Sequence, residues 1–157
     1  MERKVKVGDV APDFTLLSQS GETISLRDIL GKKIIVLYFY PKDDSKGCTA
    51  EACSFRDKYE VFRDQGAEVI GISSDSVDSH SAFASRHNLP YIILSDVGGR
   101  VRKLYGVPST LRLIPGRVTY IIDKKGIVRH IFSSQFNPEN HVNEALKILK
   151  IMDEGAD

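Results

Sequence analysis

With 157 residues the chain is expected to form one domain, and its 22 Lys and Arg balance 21 Asp and Glu. This balance gives no electrostatic reason to expect binding to nucleic acid or to an anionic membrane surface. The longest apolar run, residues 34–40, is far too short to cross a bilayer. The only two cysteines are too few for the disulfide scaffold of a small secreted protein.

The N-terminal half of the chain begins with short elements. Residues 14–17 and 23–26 flank a polar turn and are predicted to form a hairpin at the edge of the domain. A short helix is expected to open at 25–28 and to end at Gly31. Residues 34–40 are predicted to form a fully buried strand, because apolar, aromatic and β-branched side chains follow one another without interruption.

The segment after this strand is predicted to be one helix over residues 48–65, ending at Gly66. Its apolar residues recur at helical spacing: Ala52, Phe55, Tyr59 and Phe62. The elements that follow are predicted to be a buried strand over 69–73, a helix around 77–87, a strand over 91–94 and a short helix near 99–105.

The C-terminal part predicts an antiparallel hairpin and a last helix. Residues 118–122 and 127–132 flank a turn of the kind that closes such hairpins. The helix is expected to begin at 137–139, where Asn, Pro and Glu suit the cap, the first position and the first turn. Its apolar face consists of Val142, Ala145, Leu146 and Leu149. The alternation of strands and helices predicts an α/β fold with a mixed central sheet flanked by helices.

Cys48 is predicted to lie in the first turn of a helix, directly after a loop that follows a buried strand. Backbone N–H groups there are unpaired and the helix dipole is positive, which favours an anion. The thiolate is the nucleophilic form of cysteine, so this position favours reactivity. For one isolated cysteine, a small buried core residue is the more common interpretation. The second cysteine, Cys53, changes that balance.

The spacing of Cys48 and Cys53 excludes a disulfide while the helix is intact. Five residues of helix rise roughly 7.5 Å and turn about 140°. A disulfide requires Cα atoms within about 7 Å of each other and side chains that face each other. We therefore expect that a bond between them would require the first helical turns to unwind, as in a catalytic cycle with two conformations.

The pattern Pro41-x-x-x-Ser45-x-x-Cys48 resembles the peroxidatic signature of peroxiredoxins, and Cys53 resembles the second cysteine of their Q-type or bacterioferritin-comigratory-protein subfamily. Further segments resemble the family in the same order, at residues 11–16, 55–57 and 115–120. The resemblance implies a single thioredoxin-like domain over residues 1–157. It also implies a thiol-dependent peroxidase that serves antioxidant defence and cell redox homeostasis.

The resemblance assigns roles to the residues of the motif. Cys48 would be the peroxidatic nucleophile, and Cys53 the resolving cysteine that attacks its sulfenic acid to form an intramolecular disulfide. Ser45 would hold the peroxide through its hydroxyl, although a serine before a helix is more often simply a cap. Pro41 would shield the thiolate, and it also suits the end of a strand.

Arg117 and Glu51 complete the predicted site. The resemblance maps Arg117 onto the family's active-site arginine, whose guanidinium can donate to thiolate and peroxide oxygens. Glu51 lies three residues after Cys48 on the same helix face. By itself its charge would raise the pKa of the thiol, so it fits the site if it pairs with Arg117 and orients it.

The implied substrates are hydrogen peroxide and organic hydroperoxides, with thioredoxin or a similar dithiol as reductant and a monomeric protein. No cofactor or metal is expected, and the four histidines are interpreted as surface residues: His80, His87, His130 and His141. No signal or transit peptide is expected from residues 1–8. The predicted location is the cytoplasm, with a plastid as the alternative if the chain is a processed mature form.

Two other classes of function stay open at this point. A general dithiol-disulfide oxidoreductase would have the same fold, but its usual mark is Cys-x-x-Cys, whereas four residues separate the cysteines here. A redox-sensing or chaperone-like module would use the unwinding of the helix to expose a binding surface. Peroxide consumption distinguishes the peroxidase from both.

Overall fold

The structure, a computed structural model, describes residues 4–107, 109–110, 114–134 and 137–155. Strands and helices follow one another there as β1 (Thr15–Ser18), β2 (Thr23–Ser25), α1 (Leu26–Ile29), β3 (Ile34–Phe39), α2 (Lys46–Asp57), α3 (Tyr59–Asp64), β4 (Ala67–Ser73), α4 (Val77–His87), β5 (Ile92–Ser95), α5 (Arg100–Tyr105), β6 (Ser109–Thr110), β7 (Ile114–Pro115), β8 (Val118–Ile122), β9 (Val128–Ser133) and α6 (Pro138–Gly155). None of the helices in this part of the chain is both long and apolar enough to cross a membrane.

Seven strands form one mixed sheet in the order β2-β1-β5-β4-β3-β8-β9. The three central strands β5, β4 and β3 run parallel, while β8 pairs antiparallel with β3 and β9 antiparallel with β8. The hairpin of β1 and β2 joins the other edge through β5. The predicted mixed sheet, its flanking helices and the N-terminal hairpin are confirmed.

Both faces of the central strand β3 are covered, which explains its uninterrupted apolar sequence. Val36 and Tyr38 pack into a core shared with α2, α3, α4 and α6. Ile35 and Leu37 point to the other face, into a core shared with α1 and α5. Because successive side chains of a strand alternate between faces, one strand supplies the centre of both cores.

The structure differs from the predicted elements mainly after Cys48. The single helix predicted over 48–65 is wrong: α2 ends at Asp57 and α3 begins at Tyr59, because Lys58 leaves the helical conformation with φ −106° and ψ 7°. The break allows α3 to pack on β4. Gly66 takes a left-handed conformation after α3, with φ +76°, as expected for the end of a helix.

The sheet brings the candidate site to the carboxyl edge of β3. Phe39, the last residue of β3, pairs with Val118, the first residue of β8. Since these two strands are antiparallel, Arg117 lies beside the segment that leaves β3 and leads into α2. The register of one strand pair thus places a residue from the C-terminal half of the chain next to the cysteine motif.

Candidate active site

Cys48 lies in the first turn of α2, and its side chain is almost completely buried, with 1% of the residue exposed. Ser45 is the N-cap of this helix, where its Oγ accepts a hydrogen bond from the Cys48 backbone N–H at 3.4 Å. The Ser45 hydroxyl itself donates to the Lys42 carbonyl at 3.1 Å. Ser45 therefore caps the helix, as the simpler of its two interpretations predicts.

Arg117 reaches the thiol and the carboxylate of α2 with the two ends of its guanidinium. Nη2 lies 3.4 Å from Sγ of Cys48, and Nη1 donates to Oε1 of Glu51 at 2.5 Å. The side chains of Arg117 and Glu51 are 4% and 0% exposed. At Gly47 a Cβ atom would lie only 3.1 Å from Nη2, so the absence of a side chain leaves room for the guanidinium.

The charges at this site are set by burial and by the contact between Glu51 and Arg117. Burial raises the pKa of Glu51 from 4.5 to about 8, although the nearby Arg117 charge opposes the shift. Burial also acts to lower the pKa of Arg117, but Glu51 and Cys48 raise it more strongly. The guanidinium is therefore a fixed positive charge beside the sulfur.

His141 lies behind this pair, and the prediction that it is a surface residue is wrong, since it is 0% exposed. Its Nε2 donates to the Ser134 carbonyl at 2.8 Å, and Nδ1 lies 2.8 Å from Oγ1 of Thr119 and 3.7 Å from Oε2 of Glu51. Burial lowers the pKa of His141 to about 4, so its ring is neutral at physiological pH. A signal was present in the sequence, because His141 is four residues before the buried Ala145 of the same helix.

Oε2 of Glu51 is buried and accepts no hydrogen bond from the part of the chain that the structure describes. With the His141 ring neutral and Nε2 carrying its proton, Nδ1 is an acceptor and cannot donate to that oxygen. A buried carboxylate with one oxygen unpaired is unfavourable, which agrees with the raised pKa of Glu51.

The two remaining predicted site residues are Cys53 and Pro41. Cys53 is partly buried in the same intact helix, and both cysteines are free thiols. About one and a half helical turns separate the two positions. Pro41 is partly buried and follows Tyr40, whose backbone N–H makes a last hydrogen bond to Ile72 of β4, so Pro41 stands where the chain leaves the sheet.

The structure contains a second polar cluster, which the sequence analysis did not predict. His80 is 0% exposed, so its interpretation as a surface histidine is also wrong. It contacts Asp43, and potential ligand atoms of Asp43, Asp75 and His80 all lie within 4.8 Å of one another. These atoms already bond to protein groups, including the Tyr40 hydroxyl on Asp43, so the cluster is a hydrogen-bond network and not an evident metal site. The sequence held the same signal as for His141, because His80 lies three and four residues before Phe83 and Ala84, which are both buried in α4.

The chain is similar to known proteins over most of its length. The AhpC/TSA family profile matches residues 7–131. The chloroplastic peroxiredoxin Q of Triticum aestivum is 54% identical over 148 residues, or 94% of this chain and 68% of that protein. The chloroplastic peroxiredoxin Q of Arabidopsis thaliana is 55% identical over the same shares.

Solved structures give the same result. Peroxidoxin BcpB of Mycobacterium tuberculosis superposes with a TM-score of 0.87 at 36% identity, over 94% of this chain and 97% of that chain. The bacterioferritin comigratory protein of Xanthomonas campestris, described for its alkyl peroxide reduction activity, superposes with a TM-score of 0.83 at 25% identity, over 94% and 96%. The chain therefore belongs to the AhpC/TSA family and is a peroxiredoxin of the Q type, a thiol-dependent peroxidase.

Proposed function

We propose that this peroxidase reduces hydrogen peroxide and organic hydroperoxides through the Cys48 thiolate. The observation that carries this assignment is the 3.4 Å contact between Cys48 Sγ and Arg117 Nη2 inside a buried site. A fixed cation and the first turn of a helix both favour the thiolate over the thiol. The two alternatives left open by the sequence, a general dithiol oxidoreductase and a binding module, find no support among the relatives.

In the proposed reaction the Cys48 thiolate attacks one oxygen of the peroxide, so that an S–O bond forms and the O–O bond breaks. The leaving oxygen keeps the electron pair and takes up a proton, which gives water or an alcohol. Cys48 becomes a sulfenic acid. Arg117, the Ser45 hydroxyl and the Cys48 N–H are the donors that we assign to the peroxide oxygens.

Two of these donors are engaged within the loop. The Cys48 N–H donates to Ser45 Oγ, and the Ser45 hydroxyl donates to Lys42. An incoming peroxide would have to take over one of these hydrogen bonds. The 3.4 Å length of the first suggests that it is the one more easily exchanged. Pro41, at the mouth of the loop, would then keep water away from the sulfur.

Glu51 is the positioning residue in this scheme. It holds Nη1 of Arg117, which leaves Nη2 of the same planar group directed at Cys48. A guanidinium suits this arrangement because its donors have a fixed geometry. Glu51 therefore acts on the thiol through Arg117 and does not need to contact the peroxide.

Cys53 is the proposed resolving cysteine. Its thiol would attack the sulfenic sulfur of Cys48, forming the S–S bond and releasing water. This step requires α2 to unwind, since the intact helix keeps the two residues apart. A dithiol reductant of the thioredoxin type would then restore both thiols by exchange, and the helix could form again.

The alkyl peroxide reduction described for the Xanthomonas campestris protein supports organic hydroperoxides as substrates. We also propose a monomer made of one domain over residues 1–157, and no role in nucleic-acid binding, given a net charge of +1. The chloroplast relatives support a plastid location, whereas the predicted cytoplasmic location has no direct support from them.

The test is peroxide consumption by the reduced protein, with hydrogen peroxide and tert-butyl hydroperoxide, followed by peptide mass mapping. We expect one peroxide consumed per protein and a Cys48–Cys53 disulfide. Cys48→Ser should abolish the reaction, and Cys53→Ser should consume one peroxide without cycling. Sustained thioredoxin-dependent turnover by Cys53→Ser at the wild-type rate would contradict the resolving role, and unreacted thiols in the wild type would contradict the peroxidase assignment of Cys48.

A further inference from the structure

Both ring nitrogens of the buried His80 face oxygen atoms that accept hydrogen bonds. Nδ1 lies 2.6 Å from Oδ2 of Asp43, and Nε2 lies 2.8 Å from the backbone carbonyl of Leu94 in β5. A carbonyl oxygen can only accept, so Nε2 carries a proton. A carboxylate also accepts, so the short contact at Nδ1 requires a second proton between His80 and Asp43.

The surroundings of Asp43 place that second proton on the ring. The Tyr40 hydroxyl donates to its Oδ1 at 2.7 Å, and the Ser79 hydroxyl donates to Oδ2 at 2.9 Å. Such a set of donors suits an ionised carboxylate. Among the described contacts of this side chain, only His80 can supply a positive charge, and with side chains 0% and 2% exposed the pair is shielded from water. A second carboxylate, Asp75, lies close by and adds to the need for a cation.

This pair anchors the loop of residues 41–45, which is part of the connection between the end of β3 at Phe39 and the start of α2 at Lys46. The Asp43 backbone N–H is also held, by Oδ2 of Asp75 at 2.8 Å. Asp44 follows in the left-handed region with φ +64°, an unfavourable conformation for a residue other than glycine. Ser45 comes next and caps the turn that contains Cys48. The loop therefore depends on side-chain contacts to keep its shape.

We propose that His80, doubly protonated and paired with Asp43, is a positioning residue that fixes the 41–45 loop for the reaction with peroxide. The proposal rests on the proposed function, because Ser45 and Cys48 are the groups that the loop places. Reacting groups must be held within a fraction of an ångström, and a displacement of about 1 Å can lower a rate roughly a hundredfold. The His80 ring links the loop to α4 and β5 without contacting the peroxide.

Two variants separate a positioning role from a merely structural one. In Asp43→Asn the amide can donate to Nδ1, so that the loop stays anchored while the His80 ring becomes neutral. In His80→Leu both hydrogen bonds of the ring are lost. His130→Leu is the matched control. His130 lies in β9, the edge strand beside β8, and its Nε2 is 2.9 Å from a carboxylate oxygen of Glu144 in α6.

The measurements are the ¹⁵N NMR spectrum of histidine-labelled protein at pH 7 and stopped-flow rates for the two half-reactions. We expect both His80 nitrogens protonated in the wild type and only one in Asp43→Asn. His80→Leu should slow the reaction of Cys48 with peroxide about tenfold to a hundredfold, and Asp43→Asn by less than threefold. Reduction of the preformed disulfide by thioredoxin should keep its rate in both, as should both steps in His130→Leu.

A singly protonated His80 in the wild type would overturn the proposal, as would a folded His80→Leu variant that reacts with peroxide at the wild-type rate. If circular dichroism shows that His80→Leu does not fold, the test depends on Asp43→Asn. A His80 ring that stays doubly protonated in that variant would contradict its pairing with the Asp43 carboxylate. If the wild-type protein showed no Cys48-dependent peroxide reduction, the proposed function would be wrong. The ¹⁵N NMR spectrum of His80 would still show whether the ion pair with Asp43 exists.

Discussion

Oε1 of Glu51 lies 2.5 Å from Nη1 of Arg117, in a pair whose side chains are almost completely buried. The other terminal nitrogen of the same guanidinium faces Cys48. One planar cation thus connects a carboxyl group and a thiol on neighbouring turns of α2. Because the two nitrogens are held in one rigid group, the position of the carboxyl group determines where the second nitrogen points.

Arg117→Lys tests this geometry, since lysine keeps the charge but has only one nitrogen. We expect the rate of Cys48 oxidation by peroxide to fall about a hundredfold, because the ammonium cannot bond Glu51 and also face the sulfur and peroxide. The measurement is stopped-flow kinetics with the reduced protein. Arg129→Lys, in an exposed ion pair with Asp123, is the control and should react like the wild type. An unchanged rate in Arg117→Lys would show that a point charge is sufficient.

Glu51 should make stability depend on pH. Its pKa is about 8 in the folded protein against 4.5 in its ordinary state, so between these values the folded protein holds one more proton than the unfolded chain. The free energy of unfolding therefore falls as pH rises through this window, by up to roughly 1.4 kcal/mol per pH unit.

His141 acts in the opposite direction over part of the same range. Its pKa of about 4 lies below the ordinary value of 6.5, so stability rises as pH increases from about 4 to 6.5. The effect of Glu51 should consequently appear most clearly between about pH 6.5 and 8. Urea unfolding at a series of pH values, in a Cys48→Ser background, measures it. Glu51→Gln cannot titrate and should remove the decline; the same decline in Glu51→Gln would assign it to another group.

Ser45→Ala should weaken the first turn of α2. Loss of an N-cap hydroxyl reduces stability by about 0.5 to 2 kcal/mol, and here it also removes a proposed donor to peroxide. We expect a lower free energy of unfolding and slower oxidation of Cys48. Ser45→Thr keeps the hydroxyl and is the matched control, for which both quantities should stay near the wild-type values. If peroxide oxidised Cys48 at the same rate in Ser45→Ala and Ser45→Thr, Ser45 would only cap the helix and would not act as a donor to peroxide.

Tyr91→Phe should accelerate disulfide formation. The Tyr91 hydroxyl donates to the Ala52 carbonyl of α2 at 2.9 Å, so it stabilises the helix whose unwinding we propose. Without this hydrogen bond, the free energy needed to unwind α2 should fall by about 1 kcal/mol, and the step from sulfenic acid to disulfide should become roughly fivefold faster. Rapid quenching followed by mass spectrometry follows that step.

Tyr59→Phe is the control for this prediction, since the Tyr59 hydroxyl donates to Glu68 at 2.6 Å from α3, beyond the break at Lys58. Its disulfide step should keep the wild-type rate. If both variants formed the disulfide equally fast, unwinding would extend past α2 or would not limit the step.

The local elements were largely predictable because they depend on short-range spacing. The helix over 77–87 and the strand over 118–122 have the predicted bounds, and Cys48 lies in the first turn of its helix as expected. The break at Lys58 was not predictable, because Phe55 and Phe62 keep one helical period across it. Only the packing of α3 on β4 requires the chain to change direction there.

Residue types and spacing predicted most of the order of strands and helices, and the resemblance to peroxiredoxins identified the peroxidatic motif. The unwinding of α2 stays a prediction from the spacing of Cys48 and Cys53. The tertiary structure decided which distant groups meet: Arg117 with Cys48, 69 positions away, and Asp43 with His80, 37 positions away. It also decided that His80 and His141 are buried. Local periodicity reports one element at a time, whereas these contacts depend on strand register and on the close packing of several elements.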